Sequence, residues 1–396
     1  MKIVDLVATP IAIPTEAPLR HSRGVHPGRF QRNIIELFTD EGIVGLGEVG
    51  GGDKRAMLKN VKRRITGEDP FHVERIRQKI LRPFYYRSIA EIYSAVEIAC
   101  LDIQGKALGR PVSDLIGGRL RDQIPCSAYL FYRYDQNNSD PVETPRQMAE
   151  HLRELVERYG FQSAKLKGGV FPPEQEIAAC YAIREAMGSD FSIRIDPNGI
   201  WSTGTAIIAA KNLEDCNLEY LEDPTWGIAG MARVHQKTKT PLATNMCVTA
   251  FDDFPQAIAM NAVDIILADV YYWEGITGVS HLGRLCETFR LGLSMHSGTE
   301  FGITLAAMLH VASCLPNLTH DIDAHYHHLV DDVIIGGKLK YTNGKMSVPD
   351  SPGLGVEIDQ AKLKCYANYY EDHGDYYANF HADERRPQWI PVHPAF

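Results

Sequence analysis

The sequence predicts a TIM-type α/β barrel preceded by a smaller α+β unit, and three observations carry that reading. From about Ile124 onward, strand-like runs alternate with helix-like runs at a spacing of about 25–30 residues, the length of one βα unit. Polar residues stand at the ends of those strands in step: Lys167, Asp196, Glu222, Asn245, Asp269 and His296 are 29, 26, 23, 24 and 27 residues apart. The alternative, a doubly wound open sheet, would carry a glycine-rich nucleotide turn after its first strand. None stands there.

Length and charge narrow the class. A chain of 396 residues exceeds one average domain, and the division expected is a cap over residues 1–118 and a barrel over 119–344. Lys and Arg number 41 against 50 Asp and Glu, a net charge of −9, which argues against nucleic acid or an anionic membrane as partner. No window reaches the roughly 18 apolar residues of a membrane helix. Met1-Lys2-Ile3-Val4 enters a strand pattern at once, without the apolar core of a signal peptide. Eight scattered cysteines with no C-x-x-C pair read as reduced, buried thiols. Cytoplasmic is the expected location.

Taken in order, residues 3–13, 33–39 and 43–48 read as strands, the last two joined through the turn Asp40-Glu41-Gly42. The segment 19–28, rich in His and Arg, reads as a loop, either filler or a lid over an anionic ligand. Helices are expected over 53–65, 70–80 and 88–108, the third with an apolar face at Ala95, Ile98, Ala99, Leu101 and Ile103 and a stop at Gly109. The barrel strands are expected at 124–131, 163–167, 192–196, 219–222, 242–245, 264–269, 291–296 and 318–322. Helices over 145–159, 174–187, 204–212, 230–238, 254–260, 275–288 and 303–313 fill the gaps. After a hairpin at 338–348 the βα rhythm ends, so residues 345–396 are expected to pack back on the cap.

In a TIM barrel the C-terminal strand ends converge on one mouth. Lys165 and Lys167, two apart on a strand, face the same side, and neighbouring ammonium groups ease the loss of one proton, as a general base requires. The alternative is an exposed strand edge with two solvated lysines. Asp196, Glu222 and Asn245 end three successive strands and offer only oxygen ligands, the donor set that suits Mg2+; the alternative is a set of capping polar residues. His296 beside Asp269 forms an acid/base dyad. Asp321 and Asp323 are also read as strand-end groups. Two bases flanking a cation suit proton removal α to a carboxylate, followed by racemisation or loss of a β-hydroxyl. His325, His327 and His328 admit a transition-metal site as a lesser alternative.

These residues resemble the enolase superfamily, mandelate racemase-type subgroup, and within it the glucarate dehydratase family of acid-sugar dehydratases. The similarity covers nearly the whole chain: Gly24-Val25-His26, Arg32-Asn33-Ile34, Tyr129-Leu130-Phe131-Tyr132, Lys165-Leu166-Lys167-Gly168, Asp196-Pro197-Asn198-Gly199, Leu221-Glu222-Asp223-Pro224, Ala243-Thr244-Asn245-Met246, Leu267-Ala268-Asp269, His296-Ser297, Asp321-Ile322-Asp323-Ala324-His325 and Pro352-Gly353-Leu354-Gly355. The resemblance implies a modified (β/α)7β barrel with an N-terminal α+β cap completed by the C-terminal segment. It implies Mg2+ on Asp196, Glu222 and Asn245, Lys167 as base with Lys165 as its helper, and His296 with Asp269 as base or acid on the other face. His325 would steady the enediolate oxygen, and His26, Tyr129, Asn198 and Ser297 would hold substrate. A homo-oligomer is implied as well. The family has asparagines after His296-Ser297 where Gly298-Thr299-Glu300 stand here, and the C-terminal Glu384-Arg385-Arg386-Pro387 gives no clear match for its distal-carboxylate arginine. The substrate expected is thus a glucarate-type aldarate or a pentonate such as L-lyxonate. The alternatives are a racemase or epimerase using the same two bases, and a non-catalytic scaffold that binds sugar acids.

Overall fold

The computed structural model describes residues 1–82, 89–136, 139–376 and 382–396. The long strand β1 (Ile3–Pro14) leads to two short ones, β2 (Leu19–His21) and β3 (Gly24–His26), and then to β4 (Arg29–Thr39) and β5 (Val44–Val49). β1 pairs antiparallel with β4 from Ile3↔Thr39 to Pro14↔Arg29, and β5 pairs with the other edge of β4. The segment expected as an open loop is therefore partly ordered: Leu19 pairs with His26, closing a hairpin at the base of the cap.

Helices α1 (Arg55–Ile65), α2 (Val73–Leu81), α3 (Ala90–Leu108) and the single turn α4 (Val112–Leu115) follow. The first residue of the expected third helix, Ser88, lies outside the described residues. α1 buries one stripe, Leu58, Val61 and Ile65, as an amphipathic surface helix does. α3 differs from the one-faced helix expected, because it is buried nearly all round. Gly45 and Gly47 of β5 make this possible: a Cβ at either would lie 2.1 Å from the carbonyl oxygen of Ala99 or Ala95. Only glycine lets sheet and helix approach so closely.

Among the described residues the barrel comprises eight parallel strands with seven α-helices between them. They run β6 (Gln123–Arg133), α5 (Pro145–Tyr159), β7 (Ser163–Lys167), α6 (Pro173–Met187), β8 (Ser192–Asp196), α7 (Thr203–Asn212), β9 (Tyr220–Glu222), α8 (Ile228–His235), β10 (Leu242–Thr244), α9 (Phe254–Ala259), β11 (Ile265–Ala268), α10 (Gly275–Phe289), β12 (Gly292–Met295), α11 (Gly302–Cys314) and β13 (Ile322–Ala324). Strands β6 to β12 pair in sequence order, and β13 closes the ring on β6 through Ile322↔Cys126, Asp323↔Ser127 and Ala324↔Ala128. That is a (β/α)7β barrel.

The closing strand sits later than the 318–322 expected. Leu318 makes only an isolated bridge to Leu293, while Ser294 Oγ donates to the carbonyls of His320 and Asp321. A side chain takes the place of the ladder there. Asp321 consequently precedes the strand and accepts from Ser163 Oγ at 2.7 Å, at the start of β7 and away from the mouth. Its place among the mouth residues is corrected; Asp323, two residues on, faces the barrel interior.

The C-terminal segment divides between the two units. The hairpin of β14 (Tyr341–Thr342) and β15 (Lys345–Ser347) pairs with β6 of the barrel through Met346↔Ile124. Helix α12 (Gln360–His373) lies against β1 of the cap, and Asp375 accepts from Gln31 Nε2 and Asp53 N. The last residues return to the barrel, where Tyr134 Oη donates to Asp383 and the Ala395 N–H to the carbonyl of Ile200. The described residues of 345–396 thus strap both units, because the apolar Met346 and Val348 find their cover on the barrel. Among the described residues no helix is long and apolar enough to cross a membrane.

Candidate active site

Lys165 and Lys167 alternate with Leu166 on β7 and share the inner face, as period two dictates. The turn behind them is held by a residue with no sequence motif: Glu176 of α6 accepts from the N–H groups of Gly169, Val170 and Phe171 at 2.8, 2.8 and 3.0 Å. Gly169 adopts φ +77°, and a Cβ there would meet Pro197 O at 2.6 Å, so the double glycine is a steric requirement.

Lys165 is fully buried, with Nζ 2.7 Å from both Glu222 Oε1 and Asp323 Oδ2 and 3.6 Å from Asp196. Lys167 Nζ reaches the cleft and lies 2.5 Å from both Asp196 Oδ2 and Asn198 Oδ1. Of the two lysines, Lys165 is the one held charged. Burial lowers its pKa, but Asp323 and Glu222 overcome that and raise it well above the ordinary value. Lys165 is a fixed ammonium.

Asp196, Glu222 and Asn245 close β8, β9 and β10. Burial would raise Asp196, yet Lys167 and Lys165 hold it down to about 2. Burial and the adjacent Asp196 push Glu222 the other way, well above its usual range. Glu222 Oε2 lies 2.6 Å from Lys165 Nζ but off the axis of a hydrogen bond, leaving a buried acceptor unmatched. Asn245 carries the same message. As placed, its amide oxygen faces Glu222 Oε1 at 3.2 Å and Asp223 Oδ2 at 2.9 Å, acceptor against acceptor. Turning the amide over satisfies it in the bare protein; keeping the oxygen inward requires a cation among the three groups. Two repelling carboxylates and an inward amide oxygen fit Mg2+. Among the described residues no three His, Cys, Asp or Glu side chains are arranged to hold a metal, so the alternative of a site on His325, His327 and His328 falls away.

Asp223, which no motif reading singled out, builds the third of these positions. Held at φ +35°, it accepts from Thr244 Oγ1, Asn245 N and Met246 N at 2.5, 2.9 and 3.1 Å and so fixes the turn that presents Asn245.

Across the ring, His296 Nδ1 lies 2.8 Å from Asp269 Oδ2, and Asp269 Oδ1 accepts from Tyr271 N. The imidazole donates Nδ1–H to the carboxylate and turns Nε2 toward the Asn245 amide 2.9 Å away. β7 and β12 are separated by β8 to β11 along one arc of the ring and by β13 and β6 along the other. A molecule at the mouth meets Lys167 on one side and His296 on the other.

Both lie on a cleft of about 670 Å³, with Tyr129, Asn198, Asn245 and His325 from the barrel and His21, Arg23, His26 and Arg32 from the cap. Burial and then Arg23 bring His26 down to about 3, so it is a neutral ring at physiological pH. Tyr129 Oη is buried without a hydrogen-bond partner among the described residues, 4.2 Å ring to ring from His325. Asn198 adopts φ +60° and donates its N–H to Asp196 Oδ1 at 2.7 Å. Ser297 also lines the cleft. Its hydroxyl bonds Glu300, His325 N and His325 Nδ1, which exhausts its one donor and two acceptor positions.

Cap and barrel meet on this loop. Arg32 Nε donates to Thr299 O at 2.8 Å, its Nη2 to Gly298 O, and its guanidinium packs over the Tyr271 ring. Thr299 stands at φ +66°, a conformation a β-branched residue adopts only under constraint. Glu48 of β5 accepts from Phe301 N and Thr304 N, capping α11 from the cap side.

A family model described as the N-terminal domain of mandelate racemase / muconate lactonizing enzyme matches residues 6–117, and one described as enolase C-terminal domain-like matches residues 147–362. A probable glucarate dehydratase from Streptomyces coelicolor is 38% identical over 424 residues, covering 98% of this chain and 97% of its own. A D-galactonate dehydratase from Pectobacterium atrosepticum is 30% identical, covering 83% of this chain and 88% of its own. An N-succinyl-L-Arg/Lys racemase from Bacillus cereus is 28% identical, covering 92% and 97%. Among solved structures, an enolase from Thermobispora bispora complexed with magnesium and formate superposes with a TM-score of 0.94 at 38% identity, over 100% of both chains. An enolase from Pseudomonas fluorescens with bound magnesium, potassium and tartrate gives 0.93 at 38% identity, over 100% of this chain and 99% of its own.

Proposed function

The chain belongs to the mandelate racemase / muconate lactonizing enzyme family of the enolase superfamily, and on that footing we propose that it is an Mg2+-dependent acid-sugar dehydratase. The observation that carries the proposal is the placement of two candidate bases, Lys167 and the His296–Asp269 pair, on either side of an oxygen-ligand set. Dehydratases of two acid sugars among the relatives support it.

Asp196, Glu222 and Asn245 would hold the ion, which supplies positive charge against the negative charge that builds on the substrate carboxylate as the α-proton leaves. Lys165, locked between Glu222 and Asp323, adds a second fixed positive charge. Lys167 or His296 takes the α-proton, according to the configuration of that carbon. The proton on His296 Nε2 then goes to the departing β-hydroxyl, with Asp269 stabilising the imidazolium that carries it. Water leaves, and the enol product ketonises to a 2-keto-3-deoxy acid sugar. His26, Tyr129 and Asn198 line the cleft where the hydroxylated chain would lie.

The substrate proposed is an aldonate or aldarate, either of glucarate type or a pentonate such as L-lyxonate. We place the reaction in the cytoplasm and expect a homo-oligomer. The test is a panel of aldonates and aldarates with Mg2+ and a colour reaction for 2-keto-3-deoxy acids. A hit supports the dehydratase. α-Deuterium exchange without keto acid would favour the second reading, a racemase or epimerase, which the same two-sided arrangement and the Bacillus cereus relative support. Tight binding without exchange or product would point to a non-catalytic scaffold.

A further inference from the structure

Behind the cleft, Ser297 makes three contacts with a single proton to distribute. A hydroxyl donates once and accepts twice. The backbone N–H of His325, a fixed donor, occupies one acceptor position at 2.8 Å. Glu300 Oε1 at 2.6 Å and His325 Nδ1 at 2.9 Å share what remains. Two arrangements satisfy everyone. In the first, Ser297 donates to a Glu300 carboxylate and accepts from His325 Nδ1–H, leaving the lone pair on Nε2. In the second, a protonated Glu300 donates to Ser297, Ser297 donates to Nδ1, and Nε2 carries the hydrogen. Glu300 Oε2 accepts from Gly298 N at 2.9 Å in both. The two states differ by one proton, which enters or leaves at Nε2 (the ring lines the cleft).

We propose that Glu300 is a proton acceptor wired through Ser297 to His325, so that His325 Nε2 can take a proton from a substrate oxygen while its ring stays neutral. The proposal rests on the dehydratase reading, whose last step requires the enol hydroxyl to lose its proton. In that step the substrate O–H bond breaks and Nε2–H forms. The Nδ1 proton passes to Ser297 Oγ, and the Ser297 proton passes to Glu300 Oε1. The electron pair left on the substrate oxygen closes the carbonyl as the β-carbon takes a proton from solvent. The wire resets when Nε2 gives its proton to solvent at the cleft, the Glu300 proton passing back to Ser297 Oγ and the Ser297 proton to Nδ1, and nothing is oxidised or reduced.

The surroundings favour this route over a charged ring. Burial, with His328, His26, His296 and Lys167 around it, holds His325 well below the usual histidine range. Burial also raises Glu300, against its hydrogen bond from Ser297 and the nearby Arg32, with Asp269 adding repulsion. Among the described residues the titratable groups facing Glu300 are Arg32 on β4, Glu48 on β5, Asp269 and Tyr271 after β11, Cys126 on β6 and Tyr341 on β14. The grip of Arg32 on Gly298 and Thr299 sets Glu300 beneath Ser297.

Glu300→Gln tests the wire. Its carbonyl must take the Gly298 N–H, so its NH2 donates to Ser297, which must then donate to Nδ1 and lock the hydrogen on Nε2. In protein labelled with ¹⁵N-histidine, with His325 assigned by its loss in His325→Asn, wild type at pH 9 should carry the hydrogen on Nδ1 and E300Q on Nε2. The same tautomer in both overturns the proposal. This readout needs neither substrate nor turnover, so a protein that fails to dehydrate any acid sugar refutes the dehydratase reading while the tautomers still judge the wire. With a substrate in hand, kcat should fall at least about tenfold in E300Q with KM within about twofold, and α-deuterium exchange should stay near wild type. An unchanged kcat overturns the role. Ser297→Ala, which cuts the same wire with a smaller side chain, should lower kcat alike; a wild-type rate overturns the role equally.

Discussion

Glu97 joins the cap to the barrel through a carboxyl whose protonation should be visible in stability. It lies on α3, fully buried, and accepts from Ile276 N, Thr277 N and Thr277 Oγ1 at 3.1, 2.9 and 2.6 Å, capping α10 of the barrel. Burial outweighs these three bonds and lifts its pKa from 4.5 to about 7. Between those values the folded protein binds a proton that the unfolded chain does not. Stability from this group is therefore full below pH 4.5 and is lost as pH rises through 7. At 1.36 kcal/mol per pKa unit the loss is about 3 kcal/mol. A chain of 396 residues unfolds with roughly 0.8 kcal/mol/K of entropy, so that loss corresponds to about 4 °C in Tm. Glu97→Gln mimics the protonated form and cannot titrate. The Tm of the variant minus that of wild type, read by thermal melts from pH 5 to pH 8, should rise by about 3 °C across the range, part of the loss being already complete at pH 5. A flat difference refutes the reasoning and means that the helix N-terminus and its three donors keep Glu97 ionised throughout.

The other predictions concern the site and its supports. His296→Asn should lower dehydration by about 10²–10⁴-fold while leaving the far-UV circular dichroism unchanged, since it removes a proton donor and little packing. Lys167→Met should abolish α-proton exchange for one configuration of the α-carbon and spare its epimer, read by NMR in D2O. Removal of divalent ions with EDTA should abolish turnover and Mg2+ should restore it; full activity in EDTA would contradict the role given to Asp196, Glu222 and Asn245. Thr144→Ala should break the capping box that Thr144 and Gln147 form on α5, costing about 1 kcal/mol with no change in kcat.

Much of the fold was legible because βα units repeat at a fixed length. Polar residues at that spacing had to fall on one rim, which brought Asp196, Glu222, Asn245 and His296 to one mouth from sequence alone. What was missed lacks a period. Glu176 and Asp223 act by accepting backbone N–H groups, and nothing in a sequence distinguishes such a carboxylate from one on the surface. The period of two puts Lys165 on the inner face, but its partner Asp323, which keeps it an ammonium, arrives from the last strand, 158 residues away, and is invisible in the sequence. The shift of that strand from 318–322 to 322–324 put Asp321 at the wrong end of the barrel. The bonds of Ser297 to His325 and Glu300 likewise become visible only in space.

The most direct test of the central claim follows one substrate in D2O with Mg2+, watching the α-carbon and the product by NMR together. The account predicts a 2-keto-3-deoxy acid from at least one aldonate or aldarate, with loss of product but not of α-exchange in His296→Asn when Lys167 faces the α-proton. Wild-type enzyme that exchanges the α-proton of every acid sugar it binds and never releases water from any would contradict it.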